Sequence, residues 1–200
     1  MATKHVVFDI GGVLVDWKPH LAWQEKFGSA EAAHAFIERT NFRALNTRAD
    51  GGERFADLAK QIEDPEDRAH FEDYVRLYAL TVTDPIPGTW DLLDRLKARG
   101  TPLHAITNWS AETWDEGLKS QPRLGQVFET LVVSGREGLT KPDPRIFQVF
   151  LARADVDPGA CVFIDDSRKN VEGACALGMD GIHFTTASDL ENELDDRGLL

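Results

Sequence analysis

Short, near-continuous apolar runs rich in β-branched residues recur along the chain at His5–Phe8, Leu103–Ile106, Leu131–Val133 and Val162–Ile164, with a weaker one near Gly181–Phe184. Runs without polar alternation suit strands covered on both faces, as in a parallel sheet flanked by helices. Helical spacing falls between them. Thr89–Arg99 follows Pro87-Gly88, sets Trp90, Leu93 and Leu96 on one face and stops at Gly100. Asp143-Pro144 opens a second helix carrying Ile146, Phe147, Phe150, Leu151 and Ala154. A third runs from about Ser167 to Leu177 and ends at Gly178.

This alternation predicts an α/β fold, a Rossmann-like doubly wound parallel sheet. One stretch breaks the rhythm. Residues 16–84 read as helix only, with candidates around His20–Phe27, Ala30–Glu38, Glu53–Ile62 and Glu66–Val82, punctuated by Gly28, Asp50-Gly51-Gly52 and Asp64-Pro65. A crossover between strands needs only a dozen or so residues, so the stretch is expected to be an inserted α-helical domain. The expected core is then 1–15 and 85–200. Asp84–Gly88 and Asp16–Lys18 connect the two parts and are the expected hinges.

Composition narrows the partners. The net charge of −12 lacks the basic footprint that nucleic acid or an anionic membrane would require. The apolar stretch near the N-terminus is too short for a signal-peptide core or a membrane span, which points to a cytoplasmic protein. Cys161 and Cys175 show no CxxC pairing and read as small core residues in a reducing compartment. The partner expected is a small molecule, and the chain is expected to be a monomer or a homodimer.

Ligands of open α/β sheets bind beyond the carboxyl ends of the strands, so the residues following each strand are the candidates. They are Asp9 with Ile10-Gly11-Gly12, then Thr107-Asn108, then Ser134 with Lys141 beyond it, then Asp165-Asp166 with Ser167 and Asn170. Asp9, Asp165 and Asp166 crowded together would repel by about 4 kcal/mol per pair at roughly 4 Å and an effective dielectric near 20. A magnesium ion together with Lys141 would cancel the three negative charges. Magnesium favours one or two carboxylates, waters and a substrate phosphate, an arrangement suited to phosphoryl transfer.

With these residues in view, the chain resembles the haloacid dehalogenase-like hydrolases over essentially its whole length. Val7–Val13, Ile106-Thr107-Asn108, Lys141-Pro142-Asp143 and Phe163–Ser167 look like that superfamily's four motifs in order. The helical insert resembles its cap in the position of the first subclass. The resemblance implies that Asp9 attacks phosphorus to form an aspartyl-phosphate and that Thr107 and Asn108 hold the phosphoryl oxygens. It also implies that Lys141 neutralises charge and that Asp9, Asp166 and the Gly11 carbonyl bind magnesium. Asp165 would orient the metal shell or Lys141, and Asn170 would support that shell.

One position departs from the pattern. Phosphatases of this superfamily usually carry an acid/base aspartate two residues after the nucleophile, and here that position is Gly11. A glycine there resembles a subgroup that includes sugar-1-phosphate phosphatases, whose leaving groups are relatively good. Asp16, His20 and a metal-bound water are candidate substitutes, and Asp16 is preferred. Asn46 and Arg48 of the insert are candidates for touching the rest of the substrate.

Two rival readings use the same fold. A metal-free 2-haloacid dehalogenase would attack carbon with Asp9 and would need a cap arginine, Arg39 or Arg43, for the substrate carboxylate. Gly11 in place of tyrosine and the Asp165-Asp166 pair count against it. A non-catalytic binding protein would have little use for Asp9 and Lys141, because clustered buried charges cost stability unless compensated.

Overall fold

The computed structural model describes residues 4–200. Five parallel strands form the main sheet in the order β5-β4-β1-β6-β7: β1 His5–Phe8, β4 Leu103–Thr107, β5 Thr130–Val133, β6 Cys161–Asp165 and β7 Asp180–His183. Strands β4 and β6 are buried along their whole length, as unbroken apolar runs predict. The chain goes from β1 outward to β4 and β5, then returns to place β6 on the other side of β1. The carboxyl ends of β1 and β6 therefore flank the topological switch point, where α/β sheets bind ligands.

A second, two-stranded antiparallel ladder joins β2 (Val15–Asp16) to β3 (Asp84–Pro85). It brings the two connecting segments of the helical stretch side by side. Between them lie α1 Gln24–Phe27, α2 Ala30–Arg39, α3 Phe42–Asp50, α4 Phe55–Leu58, α5 Pro65–Glu72 and α6 Tyr74–Leu77, with short 3₁₀ turns. Their shared interior is aromatic. Trp23 packs on Phe36, Phe42 and Tyr74 at ring separations of 4.6, 5.2 and 5.1 Å, and Phe55 and Phe71 close the cluster. Each such pair adds about 0.5–1.5 kcal/mol beyond its buried area.

The remaining helices are α7 Thr89–Ala98, α8 Ala111–Ser120, α9 Ser134–Glu137, α10 Pro144–Ala154, α11 Arg168–Cys175 and α12 Ala187–Asp196. Helix α10 buries Ile146, Phe147 and Phe150 against the sheet face formed by Val7, Ile106 and Phe163.

Several elements differ from the sequence expectation. Helices α8 and α12, and α3 within the stretch read as helical, form where the sequence names no candidate helix. The expected Glu66–Val82 helix is broken at Asp73 into α5, α6 and a 3₁₀ turn, Tyr78–Val82. Cys161 is buried as expected, whereas Cys175, the last residue of α11, is exposed. No helix among the described residues is long and apolar enough to cross a membrane.

Candidate active site

Asp9 follows β1, and Asp165 ends β6, the strand hydrogen-bonded to it. Parallel pairing therefore sets the two carboxylates side by side, with Lys141 between them. Its ammonium lies 2.8 Å from Asp9 Oδ1 and 2.7 Å from Asp165 Oδ2, and also donates to the Ile106 carbonyl at 2.7 Å. Burial pulls the Lys141 ammonium down, but the two carboxylates outweigh it and hold it above its ordinary range.

Lys141 owes its place to Asn108. The Asn108 amide donates to the Lys141 carbonyl at 3.0 Å and accepts from the Lys141 N–H at 2.8 Å. Sequence reasoning expects that amide to hold a phosphoryl group. Its oxygen and one amide N–H serve the Lys141 backbone, and Asn108 also borders the cavity. Thr107, from the same strand end, is buried, makes no side-chain hydrogen bond among the described residues and is not part of the cavity lining.

The Asp165 carboxylate is saturated. Besides Lys141 it accepts from the Ser167 N–H at 2.8 Å and from the Asn170 amide at 3.0 and 3.1 Å. Asp9 Oδ1 accepts from Lys141 and from the Ile10 N–H at 2.6 Å. Asp9 Oδ2 and both Asp166 oxygens have no protein donor among the described residues. Burial pushes the Asp9 carboxyl up, with Asp165 adding to the rise and Lys141 opposing it.

One oxygen from each of Asp9, Asp165 and Asp166 lies within 4.8 Å of the others. Three carboxylates against one ammonium leave two negative charges, and the open donors are hard oxygens. The set fits magnesium, with Asp9 and Asp166 as the available carboxylates. Gly12 makes this possible. It has φ +75°, and a Cβ there would overlap the Asp166 carboxylate.

A cavity of about 380 Å³ opens over these groups. Its floor holds Asp9, Gly11, Gly12 and Asp166, and its far wall comes from the helical stretch through Asp16, Trp17, Asn46, Asp50 and Tyr78. A Cβ at Gly11 would meet nothing within 4 Å, so the side chain missing there leaves open space.

Asp16 borders this cavity as expected, but its carboxylate is committed to Lys18 at 3.0 Å, which also grips Asp84 at 2.6 Å across the β2–β3 ladder. His20 packs its ring 4.5 Å from that of His34 and is not part of the lining. Arg48 pairs with Glu53 and Gln61, and Arg39 with Asp67. Neither Arg48, Arg39 nor Arg43 lines the cavity.

Sequence reasoning missed Asp50, read there as part of a turn. It is the last residue of α3, it lines the cavity, and burial pushes its carboxyl up to about 7 against a smaller pull from the Ser110 N–H. The signal was present. Phe42, Leu45, Asn46 and Ala49 are the buried face of α3 at helical spacing, and Asp50 lies four residues after Asn46.

Comparison with known proteins agrees with this geometry. The model of the haloacid dehalogenase-like hydrolases matches residues 3–178. The chain is 27% identical over 185 residues to a sesquiterpene phosphatase of Aspergillus oryzae, covering 91% of this chain and 90% of that one. It is 31% identical over 183 residues to phosphoglycolate phosphatase 1 of Pseudomonas aeruginosa, covering 87% and 66%. It is 32% identical over 114 residues to flavin mononucleotide hydrolase 1 of Arabidopsis thaliana, covering 57% of this chain and 46%, less than half, of that relative. A HAD family enzyme of Bacteroides thetaiotaomicron, solved as a magnesium complex, shares the fold with a TM-score of 0.74 at 23% identity, over 97% of this chain and 99% of that one. The chain belongs to the haloacid dehalogenase-like hydrolases and is an enzyme of that family.

Proposed function

We propose that this hydrolase is a magnesium-dependent phosphatase of a small phosphorylated metabolite and that Asp9 is its nucleophile. The observation that carries the reading is the Asp9–Lys141–Asp165 array beside Asp166, two charges short of neutrality. A divalent cation on Asp9 and Asp166 would supply the missing charge and act as a Lewis acid toward the phosphoryl group.

The residues divide the work. Asp9 Oδ2, free of protein donors, is the oxygen available to attack phosphorus and form an aspartyl-phosphate. Lys141 holds Asp9 in place and balances charge that builds on the phosphoryl oxygens. Asn108 positions Lys141. Asn170 and the Ser167 N–H fix Asp165, which in turn orients Lys141. Water finally cleaves the aspartyl-phosphate and restores Asp9.

The cavity also bears on the substrate. Its lining holds four carboxylates, three aromatic side chains and no lysine, arginine or histidine. Such a wall favours an uncharged leaving group, as in a sugar phosphate, over one with a second anion. It equally disfavours the metal-free dehalogenase reading, in which a substrate carboxylate needs a cationic partner.

Phosphate release from a panel of phosphorylated metabolites, with magnesium and with chelator, tests the proposal. Release that requires magnesium and vanishes in Asp9→Asn is expected. Halide release from 2-chloropropionate without metal, and no phosphate release, would overturn it.

A further inference from the structure

Phosphoryl transfer to Asp9 leaves an alkoxide on the departing group, and the position that normally answers it is Gly11. The replacement has to reach the same cavity. Four carboxylates do so: Asp9, Asp16, Asp50 and Asp166. Asp9 is assigned to attack and Asp166 to the metal. The Asp16 carboxylate is tied to Lys18, and its side chain is nearly half exposed at 46%. Asp50 remains.

Its surroundings suit a proton carrier. Asp50 has no cationic partner among the described residues, whereas Asp9 has Lys141 and Asp16 has Lys18. Its side-chain partner is the Asn46 amide at 3.0 Å. It ends α3, where the helix dipole opposes negative charge. The groups packed around it are Tyr74 and Tyr78 from the aromatic cluster and the Ser110 N–H, with Asp9, Asp16 and Asp166 sharing its cavity and no ammonium or guanidinium among the lining.

Asp50 is also anchored to the core. The Ser134 hydroxyl at the end of β5 donates to the Asp50 carbonyl at 2.6 Å and accepts from the Trp109 N–H at 2.9 Å. The end of α3 is thereby tied to the carboxyl edge of the sheet, and Asp50 lines the same cavity as Gly11.

We propose that Asp50 is the general acid and base of this enzyme, delivered from the helical stretch in place of a side chain at Gly11. The inference rests on the phosphatase reading above. In the first half-reaction Asp9 Oδ2 bonds to phosphorus, the bond from phosphorus to the leaving oxygen breaks, and that oxygen takes the Asp50 proton. In the second, Asp50 takes a proton from water as its oxygen bonds to phosphorus. The bond to Asp9 then breaks, giving inorganic phosphate, with Asp9 again a carboxylate and Asp50 again protonated, both in their starting forms. A carboxyl poised near neutrality by burial serves both directions.

The test compares wild type with Asp50→Asn, in magnesium, on para-nitrophenyl phosphate and on β-glycerophosphate. Nitrophenolate leaves without a proton and the glycerol alkoxide does not. The variant is expected to lose about 10²–10⁴-fold in kcat/KM on β-glycerophosphate and under about tenfold on para-nitrophenyl phosphate. It is also expected to accumulate aspartyl-phosphate on Asp9 with the nitrophenyl substrate, because the second half-reaction has lost its base. An unfolding midpoint at or above that of wild type would show that the loss is not misfolding.

Equal losses on both substrates without accumulation would mean a binding role and overturn the inference. A leaving-group-dependent loss in Asp16→Asn but not in Asp50→Asn would hand the role to Asp16. Wild type releasing no phosphate from any substrate would instead sink the phosphatase reading, and this inference with it, before any variant is compared.

Discussion

The Lys141 ammonium sits 2.8 Å from the Asp9 carboxylate, both almost fully buried, at the point where the sheet reverses its strand order. Nucleophile and cation thus arrive from different motifs, Asp9 from the end of β1 and Lys141 from the loop after α9. The parallel β1–β6 register adds Asp165 as the second partner. Stability and chemistry are coupled in this contact, because removing either charge leaves the other uncompensated in a low-dielectric site.

Replacing Lys141 by methionine therefore leaves Asp9 and Asp165 facing each other without a counter-charge. Breaking a buried pair in this way costs about 3–5 kcal/mol. Urea unfolding in chelator should show a loss of that size, and magnesium should recover part of it by returning positive charge to the cluster.

Asp50→Asn should move stability the other way. Burial raises the folded carboxyl from its ordinary value of 3.8 to about 7, so between those values the folded state binds the extra proton. Wild-type stability from this group thus falls as pH rises through the window. The variant should match wild type near the acid end and exceed it progressively, by up to about 4 kcal/mol above neutrality. Denaturation of both proteins in chelator at acid, neutral and mildly alkaline pH measures the trend. A gain in stability with a loss of turnover is the signature of a residue kept for function.

His104 titrates with the opposite sign at the amino-terminal side of the same sheet. It is buried in β4 with Nδ1 unpartnered and Nε2 3.1 Å from His5 Nδ1. Burial lowers it from 6.5 to about 4, with His5 adding to the shift. The unfolded chain takes up the proton first, so stability is intact above 6.5 and is lost as pH falls toward 4, by at most about 3 kcal/mol. His104→Phe should flatten that acid limb. The windows of Asp50 and His104 overlap, so the wild-type profile alone conceals both.

The uncharged character of the leaving-group side is testable by comparing phosphoglycolate with a sugar phosphate. Four carboxylates line the cavity and no basic side chain does. The kcat/KM for phosphoglycolate should be at least about tenfold lower, a difference of roughly 1.4 kcal/mol at the transition state. Parity between the two would require a cation from outside the present lining.

Much of the fold was legible because its strands are unbroken apolar runs and α7, α10 and α11 carry Pro, Asp or Gly at their ends. The strand-end rule put Asp9, Thr107 and Asp165 among the candidates, whereas Lys141 comes from the loop after α9. Other features were hidden for physical reasons. The inward face of α3 includes Asn46, and its start, Asn41, is left-handed without a capping side chain. Both disguise a helix as a polar loop, and Asp50 went unnoticed with it. The division of Asn108, whose amide serves Lys141, depends on a contact 33 residues away in sequence that no local pattern reports. The tie between Asp16 and Lys18 is local, but what gives it meaning is Asp84 on the far side of the helical stretch.

The most direct test of the account is intact-protein and peptide mass spectrometry of enzyme quenched in acid during turnover of para-nitrophenyl phosphate with magnesium. The account predicts a phosphoryl adduct on the peptide bearing Asp9, absent in Asp9→Asn and without chelator-resistant formation. An adduct on another residue, or turnover undiminished in Asp9→Asn, would contradict it.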